Sequence, residues 1–367
     1  MTNRQPLKIL LATGIFPPAI GGPATYAKLL TEHLPPLGFK VEVLDFGKVR
    51  HLFKGLRHFV YFLKLLKRGF KTDFIFAQDT LSVAWPAALA AGFLRKKFII
   101  RVPGDYVWEQ SVQRFGVTDG IDEFQQKKYG FKVECLRKLQ NWSVGRAQLV
   151  IAPSRYFRKL VAGWVKNPDR VVTIYNGLDL PEENFSPKNY SAKDKLIISA
   201  GRLVPWKGFA GLIELMNQLP DWHLAIYGSG PQENVLAKEI ERLNLKNRVS
   251  LKGSVPKAEL RQAAKRARIF ILNTSFESFS YQVVEMMSLG VPVITANIGN
   301  LPEIITNRAE GLLVEPDNLL QLKEAVRLID EDSSFRESLV KQAALKARDF
   351  SVAKSLNQLA NSLRNLL

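Results

Sequence analysis

Short apolar runs rich in β-branched and aromatic residues alternate along the whole chain with longer segments whose apolar positions recur at helical spacing. In the first half the runs Lys8 to Thr13, Lys40 to Phe46, Asp73 to Gln78, Lys97 to Val102, Gln148 to Ala152 and Val171 to Tyr175 predict strands. A polar stretch from Pro181 to Lys195, poor in large apolar residues and containing Pro187, then breaks the alternation and predicts a linker over residues 179–195. The alternation resumes with Leu196 to Ala200, His223 to Tyr227, Val249 to Lys252, Ile269 to Thr274, Val291 to Thr295 and Gly311 to Val314. Strand-like runs that alternate with helical ones throughout argue for parallel sheets covered on both faces. The fold class is therefore α/β, with two doubly wound units over residues 1–178 and 196–349. Residues 350–367 predict a last amphipathic helix, with Leu356, Leu359, Leu363 and Leu366 at helical spacing.

One helical segment is unlike the others. Leu52, Leu56, Phe59, Leu63 and Leu66 form an apolar stripe, while Arg50, Lys54, Arg57, Lys64 and Arg68 lie on nearly the opposite face. The stripe predicts packing on the sheet and a basic face turned outward, to water or to an anionic membrane surface. From Lys48 to Lys71 there are eight Lys or Arg and no acid.

Composition narrows the classes. With 367 residues, 46% of them hydrophobic, the chain can fill two ordinary cores. The single cysteine, Cys135, excludes an internal disulfide and a thiolate metal cluster and fits a reducing compartment. No uncharged apolar run approaches the roughly 18 residues of a spanning helix, and the opening residues carry no secretory pattern. A cytoplasmic protein, soluble or peripherally attached to the inner membrane face, is expected. The net charge of +18 is uneven: residues 1–178 hold 28 Lys and Arg against 12 Asp and Glu, or +16, leaving +2 for the remainder. That half should meet something acidic.

Candidate chemistry gathers where strands run into helices. After the first strand, Gly21 and Gly22 allow positive φ and close backbone approach, and Pro23 suits a first helical turn. This is either a phosphate-binding turn or simply a tight one. In Gly201-Arg202-Leu203-Val204-Pro205-Trp206-Lys207-Gly208 two cations, Arg202 and Lys207, follow a strand of the second unit. Glu277 and Glu285 stand eight residues apart, one in the loop entering a helix and one inside it, so they could contact both ends of one ligand.

The run Glu277-Ser278-Phe279-Ser280-Tyr281-Gln282-Val283-Val284-Glu285 resembles the Glu-seven-residues-Glu signature of retaining nucleotide-sugar glycosyltransferases, particularly the large family four. The Gly201-Arg202-Leu203 and Lys207-Gly208 elements are similar to another block of that family. Asn176-Gly177-Leu178-Asp179, Tyr227-Gly228-Ser229-Gly230-Pro231, Gly253-Ser254-Val255-Pro256, Gly299-Asn300-Leu301-Pro302-Glu303 and Gly311-Leu312-Leu313-Val314 follow in the family's order. The resemblance is specific from about Arg170 to Asp317 and looser before.

It implies the glycosyltransferase B architecture, two Rossmann-like domains facing across a cleft, with an acceptor-binding first domain and a nucleotide-sugar-binding second one. The terminal helix would cross back to the first domain. Glu277 would hold hydroxyls of the donor sugar, Glu285 the ribose, and Arg202 and Lys207 the diphosphate in place of a metal. Gly21, Gly22, Phe279, Ser280, Gly253 and Val255 would line the donor site. The donor is then a substrate; neither metal nor cofactor is implied. Many members carry a histidine after the fourth strand, yet none occurs between His58 and His223. Asp105 is the best-placed polar residue there, as a catalytic carboxylate or as a helix N-cap.

The implied reaction moves a sugar from a nucleoside diphosphate sugar to a hydroxyl of an envelope glycan or lipid-linked acceptor. A nucleic-acid-binding protein would suit the charge but leaves the Glu277 and Arg202 clusters idle, so no nucleic-acid partner is expected. A nicotinamide oxidoreductase lacks its glycine fingerprint, and nothing marks a pyridoxal lysine of a phosphorylase.

Overall fold

The computed structural model describes residues 5–19, 21–180 and 195–367. The chain divides into two compact units, Met1–Gly177 with Val352–Leu367, and Leu178–Ser351. Most of the expected linker, residues 181–194, lies outside the described residues.

The first unit is built on β1 (Leu7–Thr13), β2 (Phe39–Asp45), β3 (Phe74–Ala77), β4 (Lys97–Arg101), β5 (Leu149–Ala152) and β6 (Val171–Thr173). All pairs are parallel, in the order β2-β1-β3-β4-β5-β6. Burial on both faces explains the unbroken apolar runs: every residue of β3 and β5 is buried. One core layer joins Leu11, Phe76 and Ile151 of the sheet to Tyr26 and Leu30 and to Leu356, Leu359 and Leu363 near the C-terminus. The terminal helix Val352–Arg364 thus belongs to this unit. Ser355 donates its hydroxyl to the Tyr175 carbonyl at 2.7 Å, and Gln358 its amide to that of Thr173 at 3.0 Å. Gly177 is needed beside it, because a Cβ there would stand 2.7 Å from the Cα of Val352.

The second unit repeats the plan with β7 (Leu196–Ala200), β8 (His223–Tyr227), β9 (Val249–Leu251), β10 (Ile269–Leu272), β11 (Val293–Ala296) and β12 (Leu312–Val314). Its all-parallel order is β12-β11-β10-β7-β8-β9. Ile197, Ile271, Ile213, Met216 and Val326 share its core. Both units are Rossmann-like, as expected. In each the strand order reverses at one place, between β1 and β3 and between β7 and β10. Ligands of open α/β sheets collect at the carboxyl ends of strands flanking such a reversal.

The basic amphipathic segment differs from expectation. A helix runs from Lys54 to Gly69, but its buried residues are Tyr61, Leu65 and Gly69, not the apolar stripe. Leu56, Phe59 and Leu63 are 48%, 57% and 47% exposed. The helix packs mainly on the alanine-rich helix Ala84–Leu94, along a line about 160° round from that stripe. Tyr61 donates its hydroxyl to the Leu44 carbonyl at 2.8 Å, and a Cβ on Gly69 would already meet Leu94 at 2.9 Å. The expected cationic face is also partly engaged. Arg50 donates to the Gly14 carbonyl at 2.7 Å, the Arg57 guanidinium lies 5.7 Å from the Phe46 ring centre, and Arg68 pairs with Glu42 at 3.2 Å. Lys54 and Lys64 are exposed.

Candidate active site

The β7/β10 reversal brings together loops some seventy residues apart. Ala200 ends β7, and the chain turns through Arg202 and the short helical turn Pro205–Lys207. The Trp206 carbonyl accepts from the Thr274 hydroxyl and from the Ser275 N–H, both at 2.8 Å, so this turn is fastened to the exit of β10. Asn273, buried at that exit, donates to the Gly208 carbonyl at 3.3 Å and to Asp317 at 2.9 Å, and accepts from the Asp317 N–H at 3.2 Å. These bonds leave Lys207 and Glu277 side by side: Lys207 Nζ donates to Glu277 Oε1 in an ion pair with both side chains nearly buried. Burial pushes the Glu277 carboxyl up, against the opposing pull of Lys207. Lys207 also passes over Gly201, whose added Cβ would meet its Cδ and Cε at 3.8 Å. Arg202 is exposed and makes no ion pair among the described residues.

Glu285, buried one helix turn beyond the N-cap Ser280, faces other partners. Its Oε1 accepts from Arg261 Nε at 2.7 Å and pairs with Lys257 at 3.3 Å, both from the helix Lys257–Arg266. The two glutamates therefore point to different cations. Arg261 and Lys257 were not foreseen, and nothing in their local sequence distinguishes them from ordinary surface cations. Between the glutamates, Ser280 spends its hydroxyl accepting the Val283 N–H, and the Phe279 ring packs edge-on to Tyr281 and Phe350. The loop after β9 carries Gly253 at φ +68°, with open space where a Cβ would stand, and partly buried Val255. The Gly228 N–H donates to the Gly253 carbonyl at 2.8 Å, and the Ser229 and Ser254 hydroxyls meet at 2.8 Å, so the turns after β8 and β9 stack beside that after β7.

In the first unit, Gly21 at φ +151° precedes the helix Gly22–His33, which has no side-chain cap. Its first-turn N–H groups point outward without helical acceptors. Asp105 takes the N-cap role. Its Oδ1 accepts from the N–H groups of Val107 and Trp108 at 3.0 and 3.1 Å and from Gln140 at 3.0 Å, and its Oδ2 from Gln125 at 2.9 Å. Burial pushes its carboxyl up while these donors pull it down. With four donors on a side chain 1% exposed, Asp105 holds its loop, and a direct catalytic contact loses its geometric support.

The β1/β3 reversal instead presents Asp79, which was not foreseen. Its Oδ1 accepts from the N–H groups of Leu81 and Val83 at 3.0 Å, and its Oδ2 lies 3.3 Å from the place a Gly14 Cβ would take. Burial raises this carboxyl to about 6, against the pull of those N–H groups and of Arg50. Among the described residues no group of three or more His, Cys, Asp or Glu is placed to hold a metal ion.

Two family models divide the chain between them: Glycosyltransferase Family 4 matches residues 20–182, and Glycosyl transferases group 1 matches residues 181–346. An uncharacterized glycosyltransferase of Methanocaldococcus jannaschii is 26% identical over 376 residues, covering 92% of each chain. A Campylobacter jejuni diphospho-undecaprenol 4-alpha-N-acetylgalactosaminyltransferase is 30% identical over 57% of this chain and 58% of its own. The crystal structure of Anabaena HepE with UDP-glucose shares the fold, with a TM-score of 0.78, 21% identity and coverage of 98% and 100%. The protein is a glycosyltransferase-type enzyme of the glycosyltransferase B fold, related to the group 1 and family 4 transferases.

Proposed function

We propose that the protein is a retaining transferase that moves a hexosyl or similar unit from a nucleoside diphosphate sugar to a hydroxyl of an envelope glycan or lipid-linked acceptor. It would work in the cytoplasm, peripherally on the inner membrane face. The observation that carries this reading is the Lys207–Glu277 pair at the strand reversal of the second unit. As the sugar bond breaks, negative charge grows on the leaving diphosphate. Lys207, held beforehand by Glu277, and Arg202 stabilise that charge more in the transition state than in the ground state. Glu277 accepts from donor sugar hydroxyls, and Glu285, held by Arg261 and Lys257, takes the ribose end. Gly253 and Val255 offer main chain to the base, and the Gly21–Gly22 turn offers N–H groups to phosphate. No residue of this constellation stands out as a covalent nucleophile, so a donor phosphate oxygen is assigned as the base for the incoming hydroxyl. Asp105 positions its loop. The bacterial relative whose name includes diphospho-undecaprenol supports a lipid-linked acceptor.

The test is a thermal-shift panel of UDP, GDP and ADP against an RNA oligonucleotide and NAD. A nucleoside diphosphate at about 100 times its dissociation constant should stabilise by about 2.7 kcal/mol. Stabilisation by RNA or NAD alone would overturn the reading. Proton NMR of the product made from the selected donor sugar then tests retention at the anomeric carbon.

A further inference from the structure

The helix Lys54–Gly69 leaves to solvent an apolar face that its packing does not use. Leu56, Phe59 and Leu63 occupy successive turns of it, half exposed. Phe53 before the helix is 87% exposed and Phe70 after it 71%. The adjoining helix adds Phe93, 74% exposed, whose ring contacts Phe62 at 5.9 Å. Beside Phe93 an open groove is lined by Phe98, Trp142, Arg95, Lys97 and Arg146, with the Arg146 guanidinium 5.3 Å from the Trp142 ring centre. All of these lie in the first unit.

Cations border this surface. Lys67, Lys71, Arg95 and Lys97 are exposed, while residues 46–72 and 80–104 contain no Asp or Glu. The nearest acids in sequence are engaged: Asp45 with the Gly47 N–H at 2.7 Å, Asp73 with the Lys8 N–H at 2.8 Å, and Asp79 and Asp105 with main-chain N–H groups. An exposed apolar patch with a charged border marks an interaction site. A nucleic acid would satisfy the cations but not six exposed Leu and Phe side chains. A second copy would cover the apolar face but bring equal positive charge against it. An anionic bilayer satisfies both, with acyl chains for Leu and Phe, the headgroup boundary for Trp142 and lipid phosphates for the cations.

We propose that this surface inserts shallowly into an anionic bilayer, with Leu56, Phe59 and Leu63 in the acyl boundary and the lysines at the phosphates. The proposal rests on the peripheral-membrane reading above and changes its physical basis: an apolar face makes the contact, not a basic face alone. It also places the enzyme usefully. Arg50, just ahead of the helix, bonds Gly14 at the carboxyl end of β1, so a bilayer along the helix reaches the sheet edge that carries Gly21 and Asp79.

The experiment is co-sedimentation of the full-length protein with phosphatidylcholine vesicles containing 30% phosphatidylglycerol, and with pure phosphatidylcholine, at about 0.15 and 0.5 M salt. The wild type should bind the anionic vesicles and keep a measurable fraction bound at high salt. Leu56→Ser/Phe59→Ser/Leu63→Ser should lower the partition coefficient at least tenfold at both salts, with nucleotide affinity unchanged. Phe53→Ser/Phe70→Ser provides a second variant should the triple one fail to fold. Binding that high salt abolishes and the serine variants leave intact would overturn insertion while leaving the peripheral reading standing. No binding by the wild type would overturn both. A serine variant that only converts a dimer to a monomer would assign the face to a second copy and overturn the proposal.

Discussion

Gly208 and Asn273 approach so closely that a Cβ on the glycine would fall 1.7 Å from the asparagine's carbonyl oxygen. Gly208 also has φ +62°, a conformation that costs an L side chain about 1 kcal/mol or more. The contact joins the exit of β10 to the turn that carries Lys207. Gly208→Ala must therefore move one loop away from the other. It should destabilise the protein by about 2–4 kcal/mol and lower turnover, read by urea unfolding and by transfer assay. An alanine variant with wild-type stability and turnover would show that the contact places nothing.

The central strands were legible in the sequence because burial on both faces leaves an unbroken apolar run, as at β3 and β5. The loops at the carboxyl edge were legible through their glycines and charges. Asn273 and Asp317 were not, since their bond spans 44 residues and joins the exit of β10 to the exit of β12 across the sheet. Arg261 was hidden for the same reason: its distance from Glu285 depends on how two helices pack. For the helix Lys54–Gly69 the period gave the two faces correctly, but only the neighbouring helix decides which one is covered. Asp105 shows the converse, a conspicuous carboxylate whose oxygens the fold occupies.

Arg202 and Lys207 should separate in stability but not in activity. Replacing either by Ala should lower turnover roughly 100- to 1,000-fold, the scale seen when a preorganised transition-state donor is lost. Arg202 is exposed, so Arg202→Ala should keep the wild-type melting temperature. Lys207→Ala leaves the buried Glu277 carboxylate without its cation and should melt lower. Steady-state kinetics with calorimetry checks both, and wild-type turnover in the two variants would remove the cations from the mechanism.

Glu277 and Glu285 face different cations, and their variants should fail in different ways. Glu277→Gln should slow sugar transfer about 100-fold while affinity for the nucleoside diphosphate that the thermal-shift panel selects, measured by titration calorimetry, stays within about threefold. Glu285→Ala frees Arg261 and Lys257 as well as removing the proposed ribose contact, and should weaken that nucleoside diphosphate about tenfold, or about 1.4 kcal/mol. Equal losses of free nucleotide affinity in both would remove the assignment of the two acids to opposite ends of the donor.

Asp79 should make stability depend on pH in a direction set by its raised pKa. Its carboxyl rises from 3.8 to about 6 in the fold, chiefly through burial. Below about pH 4 it is protonated in folded and unfolded chains alike and carries no ionisation cost. Between about pH 4 and 6 the folded protein keeps a proton that the unfolded chain releases, so stability falls as pH rises. Above about pH 6 both states are ionised and the full cost remains, on the order of 2–3 kcal/mol at about 1.4 kcal/mol per pKa unit. Asn at this position retains an Oδ1 acceptor for the N–H groups of Leu81 and Val83 but cannot ionise. Asp79→Asn should therefore gain on the wild type by roughly that amount between pH 4 and pH 7 in urea unfolding. Taking the difference between the two proteins cancels the titration of other buried acids such as Asp105 and Glu277. Parallel stability curves for the two proteins across that range would mean that Asp79 ionises in the fold as readily as in the unfolded chain.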